Sequence, residues 1–272
     1  MNPNKELWEK GDFSKLAATM RASSDALVES LGITPGMKVL DLACGDGATA
    51  LPMARRGADV LGIDIARNLV AAAQARVAAE GLANCRIVEG DACELSALDD
   101  DSFNLVVSIF GAMFAPCPVE VARSMVRVTR PGGRIVMGNW IPGDPTMVAQ
   151  ILKLLSEYGP PPPEGFVPPT MWGVEANVLD RFGQAGVPPG AITAEPAFYE
   201  FHLDAPPAEL AALFMTYFGP VMRVFEALGE GPRAEELRGK LTGLIARENR
   251  GGDDRTDIAA RYLRVTVSVP QA

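Results

Sequence analysis

The chain of 272 residues has one histidine, His202, four cysteines and six lysines. A single histidine excludes chemistry that needs a histidine pair, such as an HExxH zinc site, and no metal site is expected. The cysteines, Cys44, Cys85, Cys93 and Cys117, have no CxxC or zinc-like spacing. They read as buried or free thiols of a reducing compartment rather than as a disulfide frame. Positive charge is also scarce. A net charge of -9 and a pI near 4.8 disfavour a nucleic-acid duplex, whose phosphates would be repelled, and an anionic membrane surface. The first residues, Met-Asn-Pro-Asn-Lys-Glu, are polar and lack an apolar signal core, so a cytoplasmic protein is expected. One uncharged stretch, 102–119, is long enough to raise the question of a membrane span. It contains Asn104, Ser108, Pro116 and Pro118 and reads better as a strand followed by a loop.

What is present suits a folded domain. Hydrophobic residues make up 48% and charged residues 22%, which leaves ample material for a core and excludes a disordered chain. Residues 1–34 look helical, with Leu16, Met20, Leu27, Val28 and Leu31 near helical spacing and Pro35-Gly36 as the stop. Short apolar strands then alternate with helices. Strands are expected at 38–42, 59–64, 85–89, 104–110 and 134–140, with helices at 48–56, 66–80 and 120–128 and a turn at Arg130-Pro-Gly-Gly. This alternation implies βαβ units and a parallel sheet covered on both faces. Further on, helices are expected at 145–157 and 174–186, a stiff proline-rich loop at 159–165, a strand at 197–203, helices across 207–250 and a last strand at 260–269. There is no internal repeat.

The turn Asp41-Leu-Ala-Cys-Gly45-Asp-Gly47 lies between a strand and a helix. Glycines there let a ligand approach the backbone, and the following helix offers free N–H groups. Such a turn is a nucleotide-cofactor site at the carboxyl ends of the strands. Gly45-x-Gly47-x-x-Ala50 formally fits a dinucleotide pattern. Three acids argue otherwise. Asp41, Asp64 and Asp91 close three successive strands, and a carboxylate at Asp41 would repel a pyrophosphate but welcome an α-amino group. Asp64 can accept from ribose hydroxyls and Asp91 from an adenine amine. A cationic adenosine ligand, S-adenosylmethionine, fits better than NAD.

The motifs then become specific. Val39-Leu-Asp-Leu-Ala-Cys-Gly-Asp-Gly resembles the first motif of class I S-adenosylmethionine-dependent methyltransferases. Ile63-Asp64-Ile65 resembles their acidic strand-two motif, Gly90-Asp91-Ala92 their adenine motif and Arg130-Pro-Gly-Gly their late turn. Phe110-Gly-Ala-Met-Phe-Ala-Pro and Trp8-x-x-Gly11-Asp12-Phe13 are similar to the ubiquinone/menaquinone-biosynthesis-type small-molecule enzymes of that class. Ala43 departs from the glycine of many members. The resemblance implies a doubly wound, Rossmann-like α/β fold with a mostly parallel seven-stranded sheet. It implies an antiparallel last strand, while the helical spacing of the N-terminal segment and the Met- and aromatic-rich run from Leu213 add a helical cap and a helical lid insertion. It also implies that Ala43, Gly45 and Gly47 border the methionine part of the cofactor, Asp41 its amino group, Asp64 the ribose, and Ile65, Asp91 and Ala92 the adenine. Ser108 and Phe110 border the sulfonium, and Trp8 closes over the cofactor.

In-line methyl transfer requires alignment and exclusion of water, and a base only if the acceptor must lose a proton. His202 is the candidate base. Met113, Phe114, Trp140, Met147, Trp172, Phe214 and Phe218 are the candidate walls of a pocket for a small, mostly apolar acceptor. An NAD(P)-dependent oxidoreductase remains an alternative, although no Tyr-x-x-x-Lys pair is present; so does a protein using the cofactor in another way. Residues 1–272 are expected to form a single domain, with a cap at 1–34, a cofactor core at 36–140 and a lid at 205–255. A homodimer is possible.

Overall fold

The computed structural model describes residues 4–162 and 165–271. Residues 1–3 of the expected N-terminal helical segment, and 163 and 164 of the proline-rich loop, lie outside the described residues. The N-terminal segment is three helices, α1 (Asn4–Glu9), α2 (Phe13–Ala17) and α3 (Arg21–Ser30), rather than one run. The break falls at Gly11-Asp12. A β-carbon at Gly11 would lie 2.6 Å from the Tyr217 carbonyl oxygen, so the chain bends where it passes closest to another backbone.

The core alternates as the apolar runs imply: β1 (Lys38–Leu42), α4 (Ala50–Arg55), β2 (Asp59–Asp64), α5 (Arg67–Glu80), β3 (Cys85–Glu89), β4 (Phe103–Ile109), α6 (Pro118–Val128) and β5 (Thr129–Trp140). It continues with α7 (Met147–Tyr158), α8 (Glu175–Gln184), β6 (Ile192–Leu203), α9 (Pro207–Tyr217), α10 (Gly219–Leu228), α11 (Pro232–Glu248) and β7 (Thr256–Ser268). One seven-stranded sheet has the order β3-β2-β1-β4-β5-β7-β6. The pairs β1–β2, β1–β4, β2–β3 and β4–β5 are parallel, and β7 runs antiparallel between β5 and β6. Strand order reverses between β1 and β4, which opens a crevice at their carboxyl ends.

Both faces of the central strands are covered by apolar side chains. Val39, Val60, Leu105 and Val136 pack against Leu51, Met53 and Val70 on one side. Leu40, Leu61, Val106 and Met137 join Val121 and Met125 on the other. Three strands are longer than the composition suggests, β7 among them because it starts at Thr256. β6 begins at Ile192 and includes Pro196, which an edge strand tolerates because one backbone side needs no partner. β5 takes in the Arg130-Pro-Gly-Gly segment, because the Gly132 amide donates to the Val269 carbonyl and the Val269 amide to Gly133. Among the described residues no single helix is long and apolar enough to cross a membrane, and α9 and α10 meet at 77°.

Candidate functional site

A cavity opens at the carboxyl ends of β1, β2, β3 and β4, in the crevice where strand order reverses. One end is built by the Gly45 turn and the strand-end acids. The other is built by aromatic and aliphatic side chains from the N-terminal segment, β4, β5, β6 and α9.

At the first end, Asp64 closes β2 and is 6% exposed. Its two oxygens accept the backbone N–H groups of Gly45 at 2.8 Å and Ala66 at 2.9 Å. Each oxygen keeps a further lone pair for a ligand hydroxyl. Burial raises its carboxyl above the ordinary range. Asp91 accepts from the Cys93 amide at 2.9 Å and, like Ile65 and Ala92, faces the cavity. Asp41, 1% exposed, does not itself line the cavity, although its partner Thr49 does. One of its oxygens accepts from the Thr49 hydroxyl at 2.7 Å, while the other has no hydrogen-bond partner although it is buried. Burial pushes this carboxyl up to about 7.

These features fit an S-adenosyl ligand. An orphaned buried carboxylate oxygen suits an amino group, and Gly45, at φ +56°, has open space where a β-carbon would stand. Ala43 also adopts a positive φ, +57°, the conformation glycine tolerates best. This explains why glycine is usual there and why alanine is a strained but permitted substitute. Asp46, between the two glycines, faces inward to a bidentate pair with Arg21 of α3, and the Arg76 guanidinium donates to its backbone carbonyl at 2.6 Å.

At the second end, Phe110 stacks on Trp140, with centroids 3.8 Å apart and planes 7° from parallel. Trp8 meets Phe13, Phe114 and Phe218 edge-on. The N-terminal segment and α9–α10 therefore close over the cavity together. Their backbones touch at two places, since a β-carbon at Gly219 would sit 2.4 Å from the Leu7 carbonyl and one at Gly11 would strike Tyr217. The N-terminal segment is also held to the cofactor end. Arg67 donates to Glu9 at 2.8 Å, Lys5 pairs with Glu89, and the Asn68 amide donates to the Gly11 carbonyl at 2.9 Å.

Of the expected cofactor residues, Ala43, Gly45, Asp64, Ile65, Asp91, Ala92, Phe110 and Trp8 line the cavity, as do Phe114, Trp140, Phe214 and Phe218 of the expected acceptor wall. The others lie elsewhere. Gly47 faces the Leu51 side chain, which a β-carbon would approach to 2.5 Å. The Ser108 hydroxyl turns back to accept the Ala112 amide at 3.0 Å, which shapes the loop instead of the wall. Met113 and Met147 point into the core, while their neighbours Phe114 and Val148 reach the cavity. Trp172 packs on Phe182 and beneath the Arg181 guanidinium, away from the cavity. His202 is on the opposite face of β6 from Tyr199 and Phe201. It pairs with Asp257 at 2.6 Å and lies 3.2 Å from Glu200, outside the wall.

The cysteine reading needs correction. Cys93 and Cys117 form a disulfide, and only Cys44 and Cys85 are free. Spacing along the chain gave no sign of this pair, because the turn after β3 and the loop before α6 meet only in three dimensions. The argument from thiols to a reducing compartment therefore loses its premise. The Cys44 thiol is pushed well above its ordinary range by burial and by Asp41 and Asp64, which makes it inert.

Several wall residues were not picked out from the sequence: Phe13, Leu16, Met20 and Ser24 from the N-terminal helices, and Tyr199 and Phe201 from β6. Their signal was visible, since Phe13, Leu16, Met20 and Ser24 follow one helical stripe. Periodicity alone cannot tell a stripe that faces a cavity from one that faces a core.

A family model for a methyltransferase domain matches residues 39–133. An uncharacterised protein of Mycobacterium tuberculosis, Rv1405c, is 33% identical over 89% of this chain and 87% of its own length. A demethylmenaquinone methyltransferase of Beutenbergia cavernae is 36% identical over 42% of this chain and 45% of its own length. A Haemonchus contortus phosphoethanolamine N-methyltransferase, solved with S-adenosylhomocysteine, shares the fold at a TM-score of 0.58 and 19% identity, over 92% of this chain and 53% of that one. Fold and domain together define a class I S-adenosylmethionine-dependent methyltransferase. The chain belongs to the same family as the mycobacterial protein and carries a methyltransferase domain over residues 39–133.

Proposed function

We propose that this enzyme moves a methyl group to an oxygen, nitrogen or carbon atom of a small, mostly apolar acceptor. One observation carries the reading: a single cavity joins an acid-lined end to an aromatic end, with Phe110 at the junction. S-adenosylmethionine, when bound, supplies a methyl group activated by its sulfonium. In this reading Asp64 and the Gly45 turn hold the ribose, Asp91 and Ile65 the adenine, and Asp41 the amino group. Trp8, Phe114 and Phe218 shut out water and align the acceptor. Among the described residues no histidine, lysine or arginine lines the cavity, and its three carboxylates, Asp46, Asp64 and Asp91, belong to the cofactor end. Positioning rather than protein-borne base catalysis is therefore the proposed source of rate. The N-terminal helices and α9–α11 act as the cap over a single catalytic domain. The likeness to demethylmenaquinone methyltransferase supports an aromatic acceptor.

Calorimetry with S-adenosylmethionine, S-adenosylhomocysteine and NAD, followed by methyl transfer to a panel of phenols, amines and activated carbons, tests this. Binding of NAD in place of S-adenosylmethionine would overturn it. Phe114→Ala and Phe218→Ala are expected to lower kcat/KM for any acceptor found by about tenfold or more, at roughly 2 kcal/mol of lost apolar contact each. Their effect on cofactor affinity should stay within about threefold. Equal loss of both would remove the assignment of these rings to the acceptor side.

The Asp41 carboxyl makes a second prediction. Its folded-state value, about 7, lies above its unfolded value near 3.8, so the folded state holds the extra proton between them. The ligand-free protein should therefore lose stability as pH rises from about 4 to about 7 and change little above that. A cationic amino group beside Asp41 favours its ionised form, so binding releases a proton below about pH 7. Cofactor affinity should then rise with pH, by up to about tenfold per unit, and level off near pH 7. Asp41→Asn should flatten this limb. Affinity independent of pH in the wild type between pH 5 and 8 would exclude Asp41 from the site.

A further inference from the structure

In the aromatic end of the cavity two hydroxyl groups are buried side by side. Ser24 of α3 and Tyr199 of β6 are 1% and 4% exposed, and their oxygens are 2.7 Å apart. Both residues line the cavity, and both come from elements outside the cofactor core. Their surroundings are apolar. Leu16, Met20, Phe110 and Phe201 form the same wall, and the Tyr199 ring lies edge-on to Phe110, with centroids 4.9 Å apart and planes at 89°. The pair is thus one aromatic ring away from the residue that ends β4 at the cofactor side.

A buried hydroxyl costs roughly 1–3 kcal/mol unless it is hydrogen-bonded. A phenylalanine and an alanine would fill this wall without that cost. With Tyr199 donating to Ser24, the Ser24 hydroxyl donates to the Met20 carbonyl at 3.3 Å, so both protons are engaged and what the pair offers a ligand is its lone pairs. Each oxygen also keeps a spare lone pair. Burial pushes the Tyr199 hydroxyl above the ordinary phenol range, so it stays neutral and can both donate and accept. Tyr262 shows the contrast. It is equally buried, but it does not line the cavity.

We propose that the Ser24–Tyr199 pair determines acceptor specificity by hydrogen-bonding one hydroxyl of a ring-bearing acceptor, and so selects hydroxylated aromatic acceptors over plain hydrocarbons of the same shape. This rests on the reading of the aromatic end as the acceptor site. A site built to bond a hydroxyl rejects the analogue lacking it more strongly than an apolar wall rejects an added methylene, because the buried polar groups are then left unpaired. The pair is a binding and positioning element and takes no proton from the acceptor.

The test measures binding of 4-ethylphenol and ethylbenzene, which differ by one hydroxyl, to the protein with and without S-adenosylhomocysteine. The wild type is expected to prefer 4-ethylphenol by about tenfold or more. Tyr199→Phe and Ser24→Ala should reduce the preference to about threefold or less, Ser24→Thr should retain it, and Tyr262→Phe should match the wild type. A purely structural role for Tyr199 would lower the melting temperature and leave the preference intact, and that result would overturn the proposal. So would equal affinity of the wild type for the two probes, or binding of neither while S-adenosylhomocysteine binds. Failure of S-adenosylhomocysteine to bind would count against the cofactor-site assignments, while the probe preference of the ligand-free protein would still decide the role of the pair.

Discussion

Asp64→Ala is expected to weaken S-adenosylmethionine binding by about 100-fold or more. The carboxylate does two things at once. Its oxygens accept the Gly45 and Ala66 amides, which set the course of the glycine turn and the start of α5, and their remaining lone pairs face the cavity. A hydrogen bond to a charged group contributes about 1.5–3 kcal/mol, so loss of two ribose contacts alone approaches 3 kcal/mol or more, about two orders of magnitude in affinity. The orphaned Gly45 amide adds to this by loosening the turn. Asp64→Asn keeps the shape and one acceptor oxygen and should lose roughly tenfold. Calorimetric titration of the three proteins, with melting temperatures recorded alongside, checks the order. Unchanged affinity in Asp64→Ala would move the ribose site elsewhere.

Reduction of the Cys93–Cys117 bond is expected to destabilise the protein by about 3 kcal/mol. The two cysteines are separated by 24 residues in sequence. Cross-linking a loop of that length removes roughly 3 kcal/mol of unfolded-state entropy by the chain-closure argument, within a range of about 0–5. For a chain of this size that corresponds to a fall in melting temperature of about 6 °C or more. Cys93→Ser with Cys117→Ser should show the same fall and be insensitive to reductant, whereas Cys44→Ala should not alter the response to reductant. The bond also links the turn that carries Asp91 and Ala92 to the loop that carries Phe114 and Ala115, two parts of the cavity wall. Weaker cofactor binding should therefore accompany reduction. A melting temperature unaffected by reductant would show that the link adds no stability.

Much of the core was legible because its signals are local. β1, β2 and β3 fall where the apolar runs place them, and α5 ends at Gly81, whose left-handed φ of +64° closes the helix as a glycine after an alanine-rich run suggests. Asp64 was legible for the same reason, since the end of β2 and the start of α5 are written in nearly adjacent residues, and Asp91 by the glycine before it in the turn after β3. The aromatic end of the cavity was legible only in part. Phe114, Trp140, Phe214 and Phe218 stand in it, but Met113, Met147 and Trp172 do not, although composition made them equal candidates. A one-residue step along a helical turn separates Phe114 from Met113 and Val148 from Met147, and that step decides between cavity and core.

The sequence by itself determined the class of fold, the order of the cofactor motifs and the acids at or just beyond the ends of β1, β2 and β3, because each depends on residues close together in the chain. Only the tertiary structure decided which side chains meet across the cavity. It paired Cys93 with Cys117, placed Ser24 against Tyr199 and Trp8 against Phe218, and turned His202 away from the wall. Those contacts join residues 24 to 210 positions apart, and no local pattern encodes them. They follow from strand register and helix packing, where the alternation of side chains along β6 sends Tyr199 and Phe201 inward and His202 out.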